Sequence, residues 1–460
     1  MSSGQSSSPS SSNPTLFPTR TKYYSISIGI VVISVVLDAL LSDISDVISS
    51  ALSLSARISI FSLLAIVSLS AGLYFTSIGI RYLKSDPSLT IRSLAVLSKS
   101  IKIIQFILTG IIASIILQMI TAAMYYTVPF IVSISISYLS GSVTLAFLSF
   151  KFIQWRRSSS SRNFVIILLS SSSAVISAAL SISIISQSAI ILEAYPNTIQ
   201  SNSAQEFPTL LLSSSEYYQS FLFMSNFLAL AFILLTWAAS AVMLKRYSRI
   251  IGRLKYWTII LAPLASTIIG SVVLFAPAVG GVFDPSLIVF RLVGVSSIIS
   301  QGILIGSAYL VISRSIRGRA PDKILDFIRI SAVGVTILFV SLSANLAIGA
   351  FPPFGLIAYS FVPLGAYFYL AGLYSLALSF SLDDRLRRLI RGSIIDQSGL
   401  VDGIGKAIVN QDLQKEIMSL IKKNSIEMEE RTGVNPLITE SDTRSYLDEV
   451  VNEIAKSKRN

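Results

Sequence analysis

Residues 347–361, AIGAFPPFGLIAYSF, set Pro352, Pro353 and Gly355 inside a long and otherwise almost wholly apolar run. Proline cannot continue a helical hydrogen-bond ladder and glycine accepts turn dihedrals, so the stretch predicts a tight, outward-facing turn between two helices. The apolar run resumes after the turn because the chain re-enters the same solvent. Each flank can cross a hydrocarbon core of about 30 Å at about 1.5 Å per residue.

Working outward from this turn, the same grammar repeats. Of the 460 residues, 52% are hydrophobic and 13% charged, too little charge to cover a water-soluble surface. Apolar blocks fall near residues 23–41, 58–82, 101–124, 128–150, 164–192, 218–244, 257–277, 285–312, 327–350 and 354–382. The expected fold is therefore all-α, a polytopic membrane helix bundle of about ten transmembrane helices with a short cytoplasmic helical tail. It divides into a disordered N-terminal tail (1–21), helices 1–5 (22–192), an outer loop (193–217), helices 6–10 (218–382) and the helical tail (383–460). The Ser- and Pro-rich opening, MSSGQSSSPSSSNPTLFPTR, lacks the apolar core and cleavage site of a signal peptide.

Charge alternates between connections. Arg81, Lys84, Arg92 and Lys99 follow the second block, Lys151, Arg156 and Arg157 the fourth, Arg246, Arg249 and Arg253 the sixth, and Arg314, Arg317 and Arg319 the eighth. The intervening connections carry Asp43 and Asp46 with Arg57 as their base, then Glu193, Glu206 and Glu216, then Asp284. The positive-inside rule places both termini in the cytoplasm and the protein in the cell membrane. It also accounts for the net charge of +12, so no nucleic-acid partner is invoked.

The tail continues from the last block through Arg385, Arg387, Arg388 and Arg391, a basic patch at the membrane surface that can meet anionic headgroups. Leu400, Ile404 and Ile408, then Leu413, Ile417 and Leu420, recur at helical spacing beyond it. Such amphipathic stretches beside the lipid bilayer call for a partner: the headgroup region, a cytoplasmic protein, or self-association with a second copy.

Four signatures occur in order: the PPFG turn (352–355), GLYSLALS (372–379), DRLRRLIR (384–391) and SGLVDGIG (398–405). In this order they resemble a group of uncharacterised multi-spanning membrane proteins of ammonia-oxidising archaea, over the C-terminal half of the chain. The resemblance implies an archaeal cytoplasmic membrane and carries no activity, cofactor or site residue.

Cysteine and histidine are both absent. Thiolate nucleophiles, imidazole bases and the metal sites built from these residues are excluded, and neither phosphate-loop nor metal motifs occur. An enzyme is not expected, nor is a cofactor. Candidate chemistry is confined to polar groups within the apolar blocks. Asp38 near the outer end of the first block and Arg291 in the eighth could form an acid–arginine site, with Asp284 seven residues before Arg291. Their plainer reading is that each snorkels to the interface. Ser173, Ser177 and Ser181 form a stripe that could line a path, though serine also lets helices approach and bond across the contact. Gln105, Gln118 and Asn345 complete the candidate intramembrane set. Three SAGLY-like pieces, ending at Tyr74, Tyr309 and Tyr374, suggest packing through small residues.

The function expected from this inventory is a non-enzymatic membrane sensor or signalling scaffold acting through the tail. The alternatives are a small-solute transporter of five-plus-five organisation and an accessory subunit of a membrane complex. A broken helix, together with halves related by a pseudo-two-fold, would favour transport.

Overall fold

In lipid, a backbone must satisfy its N–H and C=O groups internally, which makes the long helix the default for each apolar block. The computed structural model describes residues 20–84, 92–158, 164–194, 198–200, 216–245, 248–275, 288–315, 317, 322–344 and 351–382. Its first half contains α1 (Arg20–Asp43), α2 (Ser45–Ala51), α3 (Leu54–Lys84), α4 (Arg92–Ala122), α5 (Thr127–Ser158) and α6 (Phe164–Ala194). The second contains α7 (Glu216–Lys245), α8 (Ser248–Ile251), α9 (Arg253–Phe275), α10 (Ile288–Ser315), α11 (Asp322–Ser343), α12 (Leu356–Ser360) and α13 (Val362–Leu382).

Among the described residues, ten segments are long and apolar enough to cross a membrane, with α12 and α13 together making the tenth. The fold is an all-α polytopic bundle with one addition. Strand β1 (Met124–Tyr126) pairs antiparallel with β2 (Thr198–Gln200), Tyr125 opposite Ile199. The outside of the bundle is itself apolar: Leu63 is 66% exposed and Leu117, Ile120 and Phe150 each 62%. Lipid accepts such a surface and water does not.

The turn at Pro352, Pro353 and Gly355 lies between α11 and α12, where the sequence expects a turn, but it is buried in the bundle, which the sequence reading did not anticipate. Every residue from Phe351 to Leu376 is buried. Gly355, at φ 93°, turns the chain into the five-residue α12, and the helix breaks at Phe361 before α13 begins. The turn can be buried because it carries no charge and its polar backbone is largely met: Phe354 N–H donates to the Pro352 carbonyl at 2.8 Å and Leu356 N–H to that of Pro353 at 3.2 Å. Tyr125 of the strand pair stacks on Phe351, centroids 5.9 Å apart, and Phe61 of α3 meets Phe354 edge-on at 5.7 Å. A sequence window cannot see these covers.

The last helix is packed by α4, α5 and α11, and by α3 where Phe75 and Gly79 meet Phe368. Glycines clear its way. A methyl on Gly365 would stand 2.7 Å from the Leu338 nitrogen, one on Gly372 2.6 Å from the Ser331 nitrogen, and one on Gly334 2.6 Å from the Phe368 carbonyl carbon. These contacts keep one antiparallel register, so α11 and α13 touch backbone to backbone over two helical turns. On α3, Gly72 and Gly79 lie seven residues apart and receive the Phe361 and Phe368 rings, also seven apart. The three SAGLY-like pieces thus have a physical meaning, since Gly72, Gly306 and Gly372 each sit where a side chain would collide with a neighbouring helix.

Candidate functional site

The break between α12 and α13 is held by two charged side chains from the first hairpin. A helix leaves its first amides without partners, and a capping side chain ordinarily supplies an acceptor. Gly355, the residue at the cap position of α12, has no side chain to offer. Asp38 of α1 takes that role from 320 positions away: the Ala358 N–H donates to Asp38 Oδ2 at 2.8 Å, and the Gly355 and Ile357 amides also face the carboxylate. Asp38 is 0% exposed, so it does not snorkel to an interface as its plainer reading predicts. The Ala358 amide bonds it in the interior instead, through Oδ2, while Oδ1 makes no hydrogen bond.

Arg57 of α3 holds the other side of the turn, donating from Nη1 to the Phe351 carbonyl at 3.0 Å in a buried setting. The two charges bracket the segment from Phe351 to Ala358, yet they form no ion pair with each other. Each is spent on a backbone group. Sequence reasoning noticed Arg57 only as the single base of an acidic connection; the signal that could have promoted it was a charge beside an apolar block. Removing either side chain would leave a buried amide or carbonyl unmet, at a cost of about 1–3 kcal/mol.

A second polar group lies beside the clamp. Tyr138 of α5 packs edge-on against Tyr359 of α12, centroids 5.1 Å apart, and Gln187 Nε2 of α6 donates to the Tyr138 hydroxyl at 3.4 Å. The Tyr359 hydroxyl donates to the Ala344 carbonyl at the end of α11. The break is therefore tied to α1, α3, α5 and α11 at once.

The serine stripe is a packing device in part. Ser142 and Ser177 exchange hydroxyl-to-carbonyl bonds of 2.9 and 3.0 Å between α5 and α6, and Ser181 Oγ lies 2.9 Å from Ser142 Oγ. Two turns away Ser149 and Ser170 repeat the exchange at 2.9 and 3.3 Å. Ser173 is buried and makes no such bond. Gln118 is a turn support: its Oε1 accepts from the Tyr126 N–H at 3.0 Å. Gln105 is buried with neither amide atom bonded. Arg291 lies on α10, while its side chain, together with Asn345, Asp284 and the patch Arg385, Arg387, Arg388 and Arg391, falls outside the described residues.

The two halves do not pack alike among the described residues. If α1, α3, α4, α5 and α6 corresponded to α7, α9, α10, α11 and the α12–α13 pair, the contact of α5 with α13 would return as one between α11 and α6. Similarly, the contact of α1 with α11 would return between α7 and α5. Neither counterpart contact is extensive. No known protein family, curated protein or solved structure matches this chain.

Proposed function

We propose that this protein is a membrane sensor or signalling scaffold in which α13 carries the state of the helix break to the segment beyond Leu382. The observation that carries the reading is the burial of α12, and of α13 as far as Leu376, with the break held by Asp38 and Arg57 at one end and the C-terminal segment following in sequence at the other. Keyed between glycines of α3 and α11, α13 is built to shift as a rigid body, because close-packed interfaces switch between discrete arrangements and do not deform smoothly. Under this reading the basic connections face the cytoplasm, as do both termini.

The chain has no native cysteine, so a spin label on Ser398→Cys reports one position. In proteoliposomes, Arg57→Ala releases the far clamp and is expected to change that label's spectrum. An unchanged spectrum in a variant whose unfolding midpoint confirms the lost clamp would overturn the reading.

A second reading, solute transport, draws on the discontinuous α12–α13 helix, a device of transporter sites. The unlike packing of the two halves weighs against it.

A further inference from the structure

The helices α4, α5 and α13 meet along a seam in which hydrogen-bonding groups are buried without partners. Gln105 of α4 and Ser133 of α5 are 0% exposed, and Ser137 of α5 and Tyr367 of α13 are buried as fully. Both amide atoms of Gln105, the two serine hydroxyls and the tyrosine hydroxyl make no hydrogen bond.

Register brings these groups together. On α5, Ser142 and Ser149 face α6, while Gly141 and Trp155 meet Val362 and Tyr374 of α13. At about 100° per residue, Ser137 falls on the same face as Trp155, toward α13, and Ser133 falls about 40° further round, on the side away from α6. Tyr138 meets Tyr359, which sets Ser137 level with the start of the break. The Tyr367 hydroxyl faces Ser98 of α4, near enough to interact with it but without a hydrogen bond of ordinary geometry. Gln105 lies on the same face of α4 as Ser98, about 10 Å further along, which on the antiparallel α13 is the level of Ser360. Gln105 and Ser137 therefore lie at levels within about one helical turn of each other.

Leaving four such side chains dry is costly, and buried polar groups without protein partners are ordinarily met by water or a small ligand. The occupant's charge follows from the lining. Hydroxyls and a carboxamide both donate and accept, and the two buried charges at the break are committed elsewhere, Asp38 to the Ala358 amide and Arg57 to the Phe351 carbonyl. An ion would lie there without compensation.

We propose that the seam between α4, α5 and α13 is a binding site for small uncharged hydrogen-bonding molecules, either a file of water or a urea-sized polar solute. This goes beyond the sensor reading and does not depend on it. Only a thiolate reacts readily with methyl methanethiosulfonate, and a thiolate forms only where water or a polar solute solvates it. Ser137→Cys in the full chain, in detergent, is expected to react about tenfold faster than Val335→Cys, which is buried in an apolar part of α11. Added urea or glycerol slows the reaction if a solute occupies the seam and leaves it unchanged if water does.

Gln105→Leu should slow the labelling of Ser133→Cys by a similar factor, which supplies a second reading if Ser137→Cys fails to elute as a folded monodisperse species. Cysteines at 133 and 137 that react no faster than the one at 335 would overturn the proposal. So would a Gln105→Leu chain whose labelling at 133 is unaltered.

Discussion

Along α11 and α13 backbone meets backbone at Gly334, Gly365 and Gly372, whereas α5 and α6 are joined by paired serines, Ser142 with Ser177 and Ser149 with Ser170. Both pairs are antiparallel and apolar, and neither gains from the hydrophobic effect in lipid, where a tail is as apolar as a leucine. The first pair gains by proximity, through many small dispersion contacts that fail steeply with distance. The second gains by a few directional bonds that tolerate small displacements. The helix carrying the break is thus placed in the stiffer kind of contact, and the more adaptable kind joins α5 to α6.

The sharpest way to break this comparison is Gly334→Ala. Its new methyl would meet backbone atoms of Phe368 and Tyr369, which have no rotamer to turn away. Unfolding in mixed detergent is expected to show a loss of about 3 kcal/mol, at the upper end of overpacking costs. A loss no larger than that of a serine substitution would show that the pair is looser than its geometry.

Asp38→Ala comes next, at about 2 kcal/mol, because it removes a cap and strands the Ala358 amide. Asp38→Asn, which keeps an acceptor oxygen, should recover part of the loss in the same unfolding measurement. On the serine side, Ser142→Ala and Ser149→Ala are expected to cost about 0.6 kcal/mol each, and a double variant close to the sum. A double loss as large as that of Gly334→Ala would erase the distinction between the two modes. The smallest effect, and opposite in sign, is expected at Gly110. Nothing lies within 4 Å of a methyl placed there, so Gly110→Ala should raise stability by about 0.5–1 kcal/mol through helix propensity alone.

Much of the bundle is legible in the chain because span length and apolar composition are local properties. The expected helix near residues 101–124 corresponds to α4, and that near 164–192 to α6. The serine stripe had two readings in sequence, and only the facing Ser142 on α5 decides for packing at Ser177 and Ser181. Of the polar seam, sequence reasoning reached only Gln105. Gln105 stood out as a lone amide, but in a serine-rich chain nothing distinguishes Ser133 and Ser137 from serines that merely bond back to their own helix, as Ser140 does to Ile136. Their lack of partners is a property of three helices meeting.

By itself the sequence determined the apolar, membrane-like character of this fold, the segments long enough to cross and the place of the turn before the last of them. Each follows from the length and polarity of contiguous residues. Tertiary structure alone decided that this turn is buried, that Asp38 caps a helix with no cap of its own, and that particular glycines are keyholes for particular rings. The physical reason is range: hydrocarbon thickness acts on a window of the chain, while a cap, a slot or an orphaned amide exists only once residues from different helices share a place.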